Sequence, residues 1–167
     1  MKRFKSIVAT TALSPESLST VRFAVHLATA QHAALTIVHV PESPAALAPE
    51  FKMPQQLEQL SEEMNRAARK KLEDWSKRYS EDLEIDVVVE GGRTSETICG
   101  IAARRDADLI VMSTHGRKGL GKLMLGSVTN RVLRDAPCPV LVVPPELAAR
   151  KKAATKRPPA ARTARRR

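Results

Sequence analysis

The sequence predicts an α/β fold, a three-layer sandwich in which a parallel β-sheet lies between two layers of helices. Short apolar segments alternate with longer segments of helical periodicity, which is typical of βαβ units. The apolar segments lack the alternating polar positions of a strand with one solvated face, so we expect a sheet buried on both sides. A chain of 167 residues with 43% hydrophobic and 28% charged residues fits one globular domain rather than two.

The first βα unit occupies the N-terminal 31 residues. Residues 5–12 are short, apolar and rich in β-branched types, which favours a buried strand. Ser14 and Pro15 then provide an N-cap and a proline at the first helical position. Apolar residues recur at helical spacing after this pair, so the sequence predicts a helix over about 15–31.

The second unit contains a strand, a long loop and a long helix. Residues 34–40 form the predicted strand, which ends at Pro41 because proline lacks a donor for the ladder. A helix is predicted from Pro54, with charged residues on its outer face. Its apolar residues step by three or four throughout: Leu57, Leu60, Met64, Ala68, Leu72, Trp75 and Tyr79.

The remaining elements continue the same alternation. Strands are predicted over 83–90, 108–114 and 139–143, and helices over 95–105 and 127–136. The resulting order, β-α-β-α-β-α-β-α-β, indicates a parallel sheet with helices on both faces. In open sheets of this kind ligands bind beyond the carboxyl ends of the strands, where the strand order reverses.

The net charge of +10 is concentrated at the C-terminus. Residues 1–146 carry only +1, because the other nine charges are on Arg150, Lys151, Lys152, Lys156, Arg157, Arg162, Arg165, Arg166 and Arg167. We therefore expect a folded domain over 1–147 and a disordered basic tail over 148–167. Such a tail would attract nucleic acid or another polyanion without base specificity, or would serve only as a solubilising extension.

Several classes of protein are disfavoured. Apolar runs fall far short of the roughly 18 residues that span a bilayer, and residues 6–12 are too short for a signal-peptide core, so we expect no membrane association and a cytoplasmic location. Cys99 and Cys138 form no CxxC pair, which disfavours a disulfide framework or a zinc site, and both are predicted to be buried. The histidines His26, His32 and His39 have no metal-ligand spacing.

A glycine-rich segment over 116–126 is the main candidate for chemistry. It holds four of the seven glycines and is followed by Ser127 at a predicted helix start. Glycine lets backbone amides approach a ligand closely, and a helix N-terminus favours an anion, so the segment is suited to a phosphate. It is not a Walker loop, because Leu123 replaces the magnesium-binding hydroxyl. It is not a dinucleotide fingerprint either, because Met124 stands at the third glycine position.

The segments 111–120 and 125–143 resemble the C-terminal signature of the universal stress protein family. The segments 4–10 and 13–17 resemble the family's first strand and helix start, so the resemblance covers about residues 1–145. It implies a five-stranded parallel sheet in the order 3-2-1-4-5. It also implies a homodimer formed through the last strand, Pro139 to Val143.

The resemblance also suggests a nucleotide site with some changes. Nucleotide-binding members carry G-x2-G-x9-G-[S/T], which is matched here at Gly116, Gly126 and Ser127, whereas Ser113 replaces the first glycine. Ala12 stands where these members usually have an aspartate that contacts the nucleoside. Because a charged hydrogen bond contributes about 1–3 kcal/mol, this change is expected to weaken binding roughly ten- to hundredfold.

The resemblance therefore implies ATP as the ligand, with any magnesium held mainly by the phosphates. His115 is either an anion contact or an ordinary loop residue. The expected binding residues are Thr11, Ala12, Val40, Met112, Ser113, His115, Gly116, Arg117, Gly119, Gly126, Ser127 and Val128.

The sequence offers no nucleophile elbow and no paired carboxylates near the glycines, so we expect no catalytic residues, with slow ATP hydrolysis left open. The predicted function is an adenine-nucleotide-binding stress-response factor that acts as a homodimer. The alternative is a stress protein that binds no nucleotide and whose basic tail binds nucleic acid or another polyanion.

Overall fold

The computed structural model describes residues 3–41, 54–79, 83–114 and 125–144. Five strands and four helices alternate along these residues. In chain order they are β1 Ser6–Thr10, α1 Pro15–Gln31, β2 Ala34–His39, α2 Gln55–Ser76, β3 Ile85–Val89, α3 Thr94–Arg104, β4 Leu109–Ser113, α4 Ser127–Asp135 and β5 Val140–Val143.

The predicted three-layer α/β sandwich is confirmed. All strand pairs are parallel, and the strand order is β3-β2-β1-β4-β5. Successive side chains of each strand point to opposite faces, so both faces are apolar. In β1, Ile7 and Ala9 pack with α1 and α2, while Val8 packs with α3 and α4. The sheet is therefore buried on both sides, as its apolar strands predict.

The N-terminus of α1 carries the signals that the sequence predicts. Ser14 is the N-cap and forms a capping box with Ser17, and Pro15 occupies the first helical position. The helix ends at His32, which adopts φ 48° and donates its backbone N–H to the carbonyls of Ala28 and Thr29. This left-handed residue satisfies carbonyls that would otherwise lack partners.

The orientation of α2 differs from the sequence-based expectation in its first half. The helix ends at Ser76 rather than near Tyr79. Its apolar residues Leu57, Leu60 and Met64 are 48%, 52% and 64% exposed, whereas the half-buried positions are Ser61, Asn65 and Ala68. The apolar stripe of this amphipathic helix therefore does not face the core before Ala68. The inward face of this part of α2 is small and polar instead.

Candidate functional site

A cleft of about 360 Å³ opens beyond the carboxyl ends of β1 and β4. The chain leaves β1 toward β2 on one side, and β4 lies on the other side, so this is the point where the strand order reverses. Ligands of open α/β sheets bind at such points, and the volume lies within the range of small-molecule sites. The described lining comprises Thr10, Thr11, Ala12, Leu13, Val38, His39, Val40, Pro41, Met64, Asn65, Ala68, Thr94, Ile98, Met112, Ser113, Val128 and Thr129.

The structure brings many of the sequence-predicted site residues together. Six of them line the cleft: Thr11, Ala12, Val40, Met112, Ser113 and Val128. Gly126 and Ser127 directly precede Val128 at the start of α4. His115, Gly116, Arg117 and Gly119 lie outside the described residues.

The turn after β1 is organised by the buried hydroxyl of Ser17. This Oγ lies 3.0 Å from Thr11 Oγ1 and accepts hydrogen bonds from the backbone N–H groups of Ala12 and Ser14, each at 3.1 Å. Thr11 Oγ1 in turn accepts from the N–H of Leu13 at 3.0 Å. The network fixes the backbone that presents Thr11 and Ala12 to the cleft.

His39 closes the floor of the cleft beside this turn. The side chain is buried, and its Nδ1 lies 2.9 Å from the carbonyl oxygen of Thr11. The backbone N–H of Thr11 donates to the carbonyl of Val38 at 2.9 Å. The ends of β1 and β2 are therefore tied together by a side chain as well as by the ladder.

The N-terminus of α4 forms the polar end of the cleft. Gly126 is the N-cap, and the described residues supply neither a capping side chain nor an acidic residue in the first turn. The N–H of Gly126 donates to the carbonyl of Thr114 at 3.0 Å, and Thr129 Oγ1 donates to the carbonyl of Ser113 at 3.2 Å. These bonds hold the start of α4 against the end of β4, where its dipole favours an anion.

Another part of the cleft lining is apolar. Val38, Val40, Ile98 and Met112 are buried and pack in one cluster, and half-buried Val128 packs against them. Such a surface is suited to a flat, apolar group such as a purine ring. The cleft thus combines an apolar end with an anion-suited end.

Some lining residues were not among the sequence-predicted site residues. His39, Asn65, Thr94 and Thr129 come from three helices and a strand that are separated along the chain, and they meet only in the fold. The strand–helix order could have indicated His39 and Thr94, because both lie at or just beyond the carboxyl end of a predicted strand. Nothing in the periodicity of α2 indicates Asn65.

Cys99 lies within α3, and Cys138 lies two residues before β5. Both are half-buried, less enclosed than the sequence predicts. Burial raises the pKa of both thiols; the charge of Asp135 adds to the effect at Cys99, and that of Asp108 at Cys138. A raised pKa keeps both groups as thiols near neutral pH.

Within the described ranges, no group of three or more His, Cys, Asp and Glu side chains could hold a metal ion. None of the described helices is long and apolar enough to cross a membrane.

Comparison with known proteins identifies the family. The sequence model described as "Universal stress protein family" matches residues 3–144. A universal stress protein of Methanocaldococcus jannaschii is 33% identical over 141 residues, which are 84% of this chain and 82% of that protein. Universal stress protein A homolog 1 of Coxiella burnetii is 36% identical over 141 residues, 84% of this chain and 96% of that protein.

Solved structures share the fold. The universal stress protein UspA from Lactobacillus plantarum superimposes with a TM-score of 0.70 at 23% identity, over 86% of this chain and 99% of that chain. A universal stress protein described in complex with cAMP superimposes with a TM-score of 0.61 at 23% identity, over 86% and 99%. Fold, family model and relatives agree, and the chain belongs to the universal stress protein family.

Proposed function

We propose that the cleft binds an adenine nucleotide such as ATP, and that the protein is a nucleotide-responsive stress factor rather than an enzyme. The observation that carries the proposal is the start of α4 at the cleft, uncapped by any described side chain and free of acidic residues in its first turn. The phosphates would lie at Gly126 and Ser127, with any magnesium held mainly by the phosphates. The adenine would lie against Val40 and Met112.

The glycine at position 126 supports a close-lying ligand. Gly126 has φ −61°, a conformation open to any residue. A Cβ at this position would meet Thr114 O at 3.6 Å, which is an ordinary contact. The described part of the fold therefore does not require glycine here, whereas a phosphate resting on the backbone would require it.

The adenine part of the proposal rests on the apolar end of the cleft. Val38, Val40 and Met112 offer a buried apolar surface, and Thr11 and Ala12 border it where a ribose would follow. A universal stress protein with the same fold is described in complex with cAMP, which supports an adenine nucleotide as the class of ligand. His115, Gly116, Arg117 and Gly119 remain proposed phosphate contacts.

Isothermal titration with magnesium-ATP tests this function, with Ser127→Asp as the key variant. We expect saturable binding by the wild type, and a loss of affinity of about tenfold or more in the variant because the new carboxylate repels the phosphates. In the absence of ligand the same carboxylate interacts favourably with the helix dipole. The variant is therefore expected to keep or raise its melting temperature while it loses affinity.

Thr29→Asp is the matched control. Thr29 is also an exposed hydroxyl residue on a helix, but it lies in the last turn of α1, which leads into the amino end of β2. The substitution therefore adds the same charge at the opposite end of the sheet, and the ATP affinity should match that of the wild type. Equal ATP affinity in the wild type and Ser127→Asp would refute the proposed phosphate position. A wild type that carries no nucleotide through purification and binds none would refute the function itself.

The basic tail supports a second candidate function. Nine positive charges follow Glu146 without an acidic residue, and such a segment binds polyanions through counterion release. We expect the full chain to bind single-stranded DNA with an affinity that falls steeply with salt, and a chain truncated after residue 147 to lose most of this binding. Fluorescence anisotropy over a salt series measures both; full retention of binding by the truncated chain would refute a role for the tail.

A further inference from the structure

The helix α2 forms one wall of the cleft, although only its C-terminal third is anchored in the core. Met64, Asn65 and Ala68 line the cleft. The buried residues of the 22-residue helix are Leu72 and Ser76. Apolar packing therefore anchors the helix below the cleft and not beside it. The part of α2 that lines the cleft must be held in position by other contacts.

Arg69 supplies such a contact. Its Nη1 donates to the carbonyl oxygen of Val87 at 2.9 Å, and its Nη2 donates to that of Val89 at 3.4 Å. Both acceptors belong to β3, which is an edge strand. The planar guanidinium thus spans two successive outward carbonyls of the sheet.

The geometry of β3 explains why these carbonyls are available. The carbonyl of Glu84 accepts from the N–H of Leu35 in β2. Because peptide groups alternate in direction along a strand, the carbonyls of Val87 and Val89 point away from β2. Outward carbonyls of an edge strand would otherwise be bound by water or by another strand.

We propose that Arg69 is a positioning residue that latches the cleft wall of α2 onto β3 and thereby sets the affinity of the cleft for its nucleotide. The inference rests on the proposed function for its ligand. Arg69 follows Ala68 directly and lies one turn after Asn65, so its contact with β3 adjoins the residues that line the cleft. Without it, the part of α2 before Leu72 loses two hydrogen bonds to the sheet and pivots away from the cleft.

The test compares Arg69→Ala with Arg66→Ala, a matched control on the same helix. Arg66 donates to the carbonyl of Glu62 within α2 and pairs with the exposed carboxylate of Glu62, so its removal leaves the described contacts to β3 intact. Both variants place alanine at an exposed helical position. A difference between them therefore reports the contact with β3 and not helix propensity.

Two quantities are measured: amide hydrogen exchange over 57–68 without ligand, and the Kd for magnesium-ATP. Loss of two hydrogen bonds is expected to speed exchange over 57–68 about tenfold and to raise the Kd about tenfold in Arg69→Ala. Exchange in β1 and β4 should be unchanged, which separates a moved wall from general destabilisation. Arg66→Ala should match the wild type in both measurements.

Arg69→Lys keeps the charge and can donate to one carbonyl, so both of its values should lie between those of the wild type and Arg69→Ala. This graded rescue also keeps the test valid if the alanine variant fails to fold. Unchanged exchange over 57–68 in Arg69→Ala would overturn the proposal. An unchanged Kd for ATP in this variant would also overturn it, provided that the wild type binds ATP. If the wild type binds no ATP, the proposed ligand fails, and faster exchange confined to 57–68 would still uphold the latch.

Discussion

Among single residues, Leu13 shows how the turn at the cleft is maintained. Leu13 adopts φ 60°, a left-handed conformation that costs an L-residue roughly 1–2 kcal/mol. The N–H of Leu13 bonds to Thr11 Oγ1, and the neighbouring N–H groups bond to Ser17 Oγ. These hydrogen bonds offset the conformational cost at Leu13. Leu13 lies between Ala12 and Ser14, the N-cap of α1.

A substitution at Ala12 is expected to raise the affinity of the site for ATP. We expect Ala12→Asp to tighten ATP binding roughly ten- to hundredfold, because it adds a charged acceptor for the ribose hydroxyls at the border of the cleft. Isothermal titration measures the change. Ala12→Asn is the control, since an amide of similar size lacks the charge and should give a smaller gain. No gain in Ala12→Asp would contradict the proposed orientation of the nucleoside.

Most of the predicted site residues follow one another in the sequence, whereas the single position Val40 was predicted from the family resemblance. Gly126, Ser127 and Val128 are consecutive, and Met112 and Ser113 end a single strand, so a motif can indicate them. Asn65 is absent from the prediction because its role depends on which elements pack beside β1. Such neighbours are set by long-range packing, which has no local pattern.

Among the helices and strands, α2 shows that periodicity predicts a helix but not the burial of its apolar face. Steps of three and four predicted a helix, and Gln55–Ser76 is helical. Periodicity shows that apolar residues share a face, but it does not show what covers that face. Here Leu57, Leu60 and Met64 are exposed, whereas Ser61 and Asn65 on the same turns are half-buried.

The turn between β3 and α3 contains a position, Gly92, at which the backbone conformation favours glycine. Gly92 has φ 136°, and a Cβ there would clash with Thr97 Oγ1. We expect Gly92→Ala to lower the free energy of unfolding by roughly 1–3 kcal/mol, because it combines backbone strain with a steric clash. Urea denaturation followed by circular dichroism measures the change.

Gly91 provides the matched control for this prediction. A Cβ at Gly91 would meet nothing within 4 Å, so Gly91→Ala should change the free energy of unfolding by less than about 1 kcal/mol. Equal effects of the two substitutions would show that the turn does not depend on the conformation of Gly92.

In the molecule as a whole, the two edges of the sheet differ. The β3 edge is covered at Val87 and Val89 by Arg69. The β5 edge consists of four apolar residues, three of them half-buried. The carbonyl of Pro139 accepts from the N–H of Ile110, so by alternation the backbone N–H and C=O of Val140 and of Val142 point away from β4. An apolar edge with outward peptide groups is suited to pairing with a second copy.

The homodimer that the family resemblance implies can be tested at this edge. We expect Val142→Pro to convert a dimer to a monomer, because proline removes the outward N–H without removing a bond to β4. Val142→Thr is the control, since it keeps the N–H and a β-branched side chain. Sedimentation equilibrium measures the mass of each form. A monomeric wild type, or a proline variant that remains dimeric and folded, would contradict pairing through β5.

Local patterns in the sequence were enough to predict the order of the elements, the parallel sheet with two buried faces and the start of α4. These patterns are the apolar runs, the helical periodicity, the cap at Ser14 and the pair Gly126 and Ser127. Long-range packing decided that Asn65 lines the cleft, that the stripe of α2 is exposed before Ala68, and that Arg69 covers one sheet edge. Those outcomes depend on contacts between residues far apart in the chain, whose formation is governed by the packing of the whole domain.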